Sequence, residues 1–277
     1  HKVWSASSRH RPNKSDQSRM RTIAVILARA GSKGLPDKCV LPLCGRPVVS
    51  YSISHAQQSA YVDDIVLTTD SPRAMAVGRA AGITVIERPP ELAGDTVPVC
   101  AAVRHAVELY EGGTGEQVDV VVILYGNTPI RAEGTVDAVV EHLVATGCDS
   151  VRTLVRIGKQ HPDWLHRLEG DRMMQYRQNT IDRRQDLEPL YYNNGSAIAV
   201  RRACLFTTES YQNPHAFFGA DRRAIIQEED ETVEIDCRAD FYRAEAILRL
   251  RSESVFAEPP AGSRRPFTGA VSVSVAY

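Results

Sequence analysis

The stretch Thr22-Ile-Ala-Val-Ile-Leu-Ala-Arg-Ala-Gly-Ser-Lys-Gly-Leu-Pro-Asp-Lys38 decides how this chain is read. It opens on an apolar run of strand character. The residues that follow bring Gly31, Ser32 and Gly34 together with the cations Arg29, Lys33 and Lys38. Glycines at this spacing let backbone N–H groups turn inward as an anion nest, and the cations add charge around it. Lys38 stands far enough along to reach a β- or γ-phosphate. The loop is therefore a candidate phosphate cradle, with a solvated cationic turn as the plain alternative. Neither G-x-x-x-x-G-K-[ST] nor G-x-G-x-x-G can be laid over it, which sets aside the two commonest phosphate loops.

Outward from that loop, strand-length apolar runs alternate with helical periods. A helix opened by a proline is expected over 47–56, a strand over 64–69, and a helix over 71–81 with Ser71 as cap and Pro72 in its first turn. A strand over 83–86, a helix over 98–110, a strand over 118–124 and a helix over 133–145 follow. Strands and helices in alternation with short loops predict βαβ units and an α/β fold built on a mostly parallel sheet. From Ser150 the rhythm changes. Short strands over 150–156, 165–168 and 173–176, with Glu169-Gly-Asp171 as a hairpin turn, predict a small strand-rich element inserted over about 150–192. Segments 197–200 and 232–235 are expected to return to the main sheet, and 240–251 to form the last helix. The domain then spans 22–255. Residues 1–21 read as a basic tail without the apolar stretch of a secretory signal, and 256–277, rich in breakers, as a second tail.

A formal net charge of −1 argues against a nucleic-acid binder that works by neutralising many phosphates. No run approaches the roughly 18 apolar residues of a membrane-spanning helix. Six scattered cysteines, with no C-x-x-C pair, read as free thiols in a reducing cytoplasm.

Three further groups can carry chemistry. Glu234-Ile-Asp236 puts two carboxylates on one face of an extended segment, a spacing able to hold Mg2+, although such pairs also occur on half-exposed strands. Arg183-Arg-Gln-Asp186 and Asn193-Asn-Gly-Ser196 concentrate polar groups in the second half. Such arginines either grip a substrate carboxylate or sit at the surface. His161, beside Pro162, is a lone histidine of the sort that is more often structural.

Taken in order, Ile23–Lys38, Leu67-Thr-Thr-Asp70, Glu87-Arg-Pro89, Leu92-Ala-Gly-Asp-Thr96, Arg184-Gln185, Asn194-Gly195 and Glu234-Ile-Asp236 closely resemble the acylneuraminate cytidylyltransferases, the CMP-sialic acid synthetases. The resemblance implies a Rossmann-like nucleotidyltransferase domain with an inserted dimerisation element and a homodimer. It also implies transfer of CMP from CTP to a 2-keto sugar acid with Mg2+ and release of pyrophosphate. On it, Arg29, Lys33 and Lys38 hold the triphosphate, with Arg88 and Asp95-Thr96 near cytosine or ribose. Glu234 and Asp236 bind metal; Tyr125, Asn127, His161, Arg184, Gln185, Asn194 and Gly195 line the sugar-acid pocket. Three positions depart from the family pattern: Tyr125 stands where a sugar-contacting glutamine is usual, Glu234 where the first metal carboxylate is usually aspartate, and Cys39 where asparagine is usual. Transfer to Kdo, legionaminic or pseudaminic acid stays open at this point, as does a non-catalytic nucleotide-binding protein.

Overall fold

Thr22–Leu27, buried at every position, forms β1 in the interior of a seven-stranded sheet in the computed structural model, which describes residues 20–31 and 33–254. Both expected tails therefore lie almost wholly outside the described residues, and Ser32 lies outside them too. A short hairpin, β2 (Pro42–Leu43) and β3 (Arg46–Pro47), leads into α1 (Val48–Gln57). Then come β4 (Asp64–Thr69), α2 (Pro72–Ala80), β5 (Thr84–Glu87), α3 (Val99–Thr114), β6 (Val120–Tyr125), α4 (Thr135–Thr146) and β7 (Ser150–Arg156). A second hairpin, β8 (His166–Glu169) and β9 (Arg172–Gln175), precedes the long strand β10 (Tyr191–Arg201). Short helices α5 (Arg202–Leu205) and α6 (Thr208–Gln212) lead to β11 (Arg222–Gln227), and α7 (Arg238–Ser254) ends the described chain.

The strand order is β11-β7-β10-β6-β1-β4-β5, and β10 alone runs antiparallel to its neighbours. This is the mostly parallel α/β sheet that the alternating pattern predicts. Period-2 burial splits β1 between two cores. Ala24 and Ile26 pack with α1, α2 and α4, whereas Ile23, Val25 and Leu27 pack with α3 and the Cys204–Phe218 region. Helices cover both faces, so the central strands are buried throughout.

The structure differs from the expected layout in three places. Ser150–Arg156 belongs to the main sheet as β7, so the excursion proper is narrower and carries the β8–β9 hairpin. Segment 232–235 adds no strand to the sheet: Val233 makes one isolated bridge to Ile130, because Val233 and Ile235 are buried in a third small core with Leu43, Val48 and Tyr51 rather than laid along a strand edge. The sheet is completed instead by β11, whose two leading arginines and half-exposed edge position mask its strand pattern.

Candidate active site

In open α/β sheets, ligands bind beyond the carboxyl ends of parallel strands, where the strand order reverses. Here that point lies between β1 and β6, since β4 and β5 extend to one side of β1 and β6 lies on the other. The 28–38 loop rises from it. Ala30 N–H donates to Asp70 Oδ1 at 2.8 Å, tying the loop to the end of β4. Gly34 lies so close to the 234–236 segment that a Cβ would stand 2.4 Å from the Asp236 carbonyl oxygen, so only glycine fits. Lys38 Nζ meets Asp236 Oδ1 at 2.6 Å.

Arg29 and Lys33 both pair with Asp95, Lys33 at 2.7 Å, and these two donors hold the Asp95 carboxyl below its usual range. Asp95 thus occupies two of the three loop cations, while Lys38 pairs with Asp236. Thr96 beside it is exposed and does not line the cleft.

The cleft is walled by Leu27, Arg29, Lys38, Cys39, Arg88 and Tyr125, among others. Arg88 is buried and donates from Nη2 to the Thr68 carbonyl at 2.9 Å; burial pulls it below the usual arginine range, against the opposing charge of Asp70. Burial pushes the Cys39 thiol up to about 11, so this departure supplies a neutral wall.

The carboxylate pair faces the same cleft because the residue between them does not. Ile235 is fully buried, and Asn127 clasps it from both sides of the peptide: Ile235 N–H donates to the Asn127 carbonyl at 2.8 Å, and Asn127 Nδ2 donates to the Ile235 carbonyl at 3.0 Å. Alternation turns Glu234 and Asp236 the other way. Asn127 Nδ2 also approaches Glu234 Oε1 at 3.2 Å and Asp236 Oδ1 at 3.4 Å. Burial first, then the charge of Asp236, raises the proton affinity of Glu234 above the ordinary glutamate value. Two hard oxygen donors that repel each other beside a cationic loop fit a divalent cation. Among the described residues no group of three His, Cys, Asp or Glu forms a cage, so the ion would take its remaining ligands from phosphate or water.

Tyr125 and Glu234 are also part of a second cavity, lined with Arg152, Thr153, Asn193, Gly195, Ala197 and Ile198. Burial, and then the Glu234 charge, raises the Tyr125 phenol above its usual range. Gly195 has φ +67°, and a Cβ there would meet Glu234 Oε2 at 2.8 Å; it sits in the register shift of β10 between Asn193 and Ile198. Such a bulge re-aims a strand beside a site. Asn194 points inward instead, accepting from Thr153 Oγ1 at 2.6 Å and donating to Gln227 Oε1 at 2.8 Å.

Other expected acceptor contacts are not brought there. Arg184 and Gln185 line a separate cavity with Arg156, Ile157, Leu187 and Glu188. His161 is buried with both ring nitrogens engaged. Nε2 donates to the Glu188 carbonyl at 3.0 Å, and Nδ1 accepts from Asp163 N–H at 3.2 Å. That is a capping role, and it leaves the ring no free atom for a ligand.

The sequence reading passes over Asp70, Arg131 and Arg152 as site residues. Arg131, buried in full, donates to the Ser196, Thr128 and Tyr125 carbonyls at 2.6, 2.5 and 3.0 Å, and so fixes the turn that carries Tyr125 and Asn127. Its signal is a charge directly after the apolar pair Pro129-Ile130; that of Arg152 is a charge inside a strand run.

Residues 23–207 match the family profile described as "Cytidylyltransferase". The N-acylneuraminate cytidylyltransferase of Streptococcus agalactiae serotype V is 30% identical over 226 residues, 80% of this chain but 52% of that relative, so the chain spans about half the length of this curated relative. The CMP-N,N'-diacetyllegionaminic acid synthase of Legionella pneumophila is 30% identical over 250 residues, 85% of this chain and 100% of that one. Among solved structures, a CMP:2-keto-3-deoxy-manno-octonic acid synthetase complexed with CTP has a TM-score of 0.62 at 18% identity, covering 83% of this chain and 99% of that chain, a likeness of fold. The profile match runs from β1 to the start of the α5–α6 region and takes in the loop, the cleft wall and β10, and by it the chain belongs to the cytidylyltransferase family.

Proposed function

We propose that this chain transfers CMP from CTP to the anomeric hydroxyl of a nonulosonic, sialic-acid-like sugar acid, releasing pyrophosphate, and that it works as a homodimer with Mg2+ at Glu234 and Asp236. The observation that carries the reading is the shared wall. A cation-lined cleft and a polar cavity meet at Tyr125 and Glu234, so two substrates can approach each other across one carboxylate.

The acceptor oxygen forms a bond to the α-phosphorus while the bond from that phosphorus to its bridging oxygen breaks. Pyrophosphate leaves with the bridging oxygen, and the hydroxyl proton passes to water. Lys38, Arg29 and Lys33 stabilise charge on the leaving oxygens, and positioning plus cationic stabilisation carry most of such a transfer. Arg29 and Lys33 pair with Asp95, so Asp95 must yield both cations for them to reach the triphosphate. Mg2+ held by Glu234 and Asp236 would supply neutralisation of phosphate charge and a lowered pKa of the attacking hydroxyl. Arg131 and Asn127 keep Tyr125 and the carboxylates in register.

The test is pyrophosphate release on mixing the protein with CTP, Mg2+ and a panel of N-acetylneuraminic, N,N'-diacetyllegionaminic, pseudaminic and 2-keto-3-deoxy-manno-octonic acids. Turnover with one of the first three is expected. Selective turnover of the last would transfer the proposal to Kdo. CTP binding without turnover of any acid would reduce the protein to a nucleotide binder.

A further inference from the structure

Arg152 is the charged residue of the second cavity that the proposed reaction leaves unassigned. It stands on β7, the strand next to the edge, between Ile198 of β10 and Ala224 of β11, and is half-buried. The guanidinium carbon lies 4.1 Å from the centre of the Phe218 ring, a seat that supports the guanidinium plane from one side. Its Nε is buried and has no hydrogen-bond partner among the described residues, and no carboxylate there pairs with it. Two other arginines close to the site, Arg131 and Arg88, behave differently. Arg131 spends its donors on backbone carbonyls, and Arg88 donates to Thr68. A buried donor without an acceptor costs stability, and such a group in the wall of a cavity marks a place where a ligand supplies the acceptor.

The cavity is polarised. Among the described residues that line it, Arg152 is the one cation and Glu234 the one anion, with the Tyr125 phenol also in the wall. A ligand with one anionic end and one neutral, hydroxyl-bearing end suits that arrangement; a polyanion does not. The planar guanidinium fork matches a carboxylate. Arg184, the arginine that the resemblance suggests for the acceptor, opens on a cavity that shares no wall residue with this one.

We propose that Arg152, braced by Phe218 and accompanied by Tyr125, is a specificity-determining residue that anchors the carboxylate of the acceptor sugar acid. This rests on the transfer reaction proposed above. The test compares Arg152→Gln and Arg152→Lys with the wild type, using an acid that the wild type turns over and the methyl ester of the same acid. Arg152→Gln is expected to raise KM for the free acid at least tenfold while leaving KM for CTP and for the ester unchanged, and Arg152→Lys to fall between. A merely structural role would weaken acid and ester alike. Equal losses for the two, or no loss for the acid, would overturn the assignment. If the wild type turns over no acid, the reaction fails on its own evidence, and calorimetry with N-acetylneuraminic acid decides the anchor separately. Weaker binding by Arg152→Gln than by wild type sustains it, and equal or absent binding overturns it.

Discussion

Lys38 joins the glycine-rich loop after β1 to the carboxylate pair, since its ammonium sits 2.6 Å from Asp236 and it lines the cleft with Cys39 and Arg29. Losing one charge-assisted contact of about 1.5 kcal/mol or more predicts that Lys38→Ala lowers turnover at least about tenfold. Steady-state kinetics with saturating acceptor check this, and unchanged kinetics would remove Lys38 from the triphosphate site. Glu234 calls for a different measurement. Burial and Asp236 make its negative charge unfavourable in the folded protein, and a divalent cation relieves both effects. Mg2+ should therefore raise the melting temperature of the wild type, and Glu234→Gln should lose most of that increment and require more Mg2+ for half-maximal turnover. Identical Mg2+ titrations by melting would show that the metal is held elsewhere.

At the scale of elements, legibility followed how locally each element is determined. Strands β1 and β4 and helix α2 could be read almost to the residue, because an uninterrupted apolar run or a Ser71-Pro72 cap sets their bounds; Ser71 Oγ does accept from Ala74 N–H at 3.3 Å. The site loop was legible for the same reason, as its glycines and cations are contiguous. The 232–236 segment was not, since its Val and Ile suit a strand equally well, and only the distant partners Leu43, Tyr51 and Ile130 decide that they bury in a separate cluster. Arg152 was missed because nothing local tells a strand arginine that stacks over Phe218 from one that reaches solvent. The β8–β9 hairpin carries a prediction at this scale. Leu168 and Met173 are 69% and 66% exposed on it, and large apolar side chains grouped at a surface favour a partner. The proposed homodimer should use this hairpin, so Leu168→Glu with Met173→Lys should halve the mass measured by light scattering without lowering the melting temperature. A wild type that is already monomeric ends the dimer proposal, and an unchanged mass in the variant moves the interface off the hairpin.

Across the whole molecule, one buried hub connects the site to acid stability. Arg131 joins the turn after β6 to β10 through Ser196 and to α1 through Ser52, and its Nη1 lies 3.3 Å from His55 Nδ1. The guanidinium must donate here, so the ring accepts and has to be neutral. Burial first, then the charges of Arg131, Arg251 and Arg46, bring His55 down to about 3 from its ordinary 6.5. In the window between those values the unfolded chain binds a proton at this histidine and the folded one does not. Stability therefore rises with pH across it and is lost as pH falls below 6.5, by at most about 1.4 kcal/mol per pH unit. Carboxylates add their own acid dependence, so the informative quantity is a difference between two proteins. His55→Asn keeps an acceptor for Arg131 but cannot take up the proton, and its loss of unfolding free energy from pH 7 to pH 5 should be smaller than that of the wild type by up to about 2 kcal/mol. Urea titrations at the two pH values measure both losses. Parallel losses would mean that His55 protonates in the folded protein as it does in the unfolded chain, and that the Arg131 hub tolerates a second positive charge beside it.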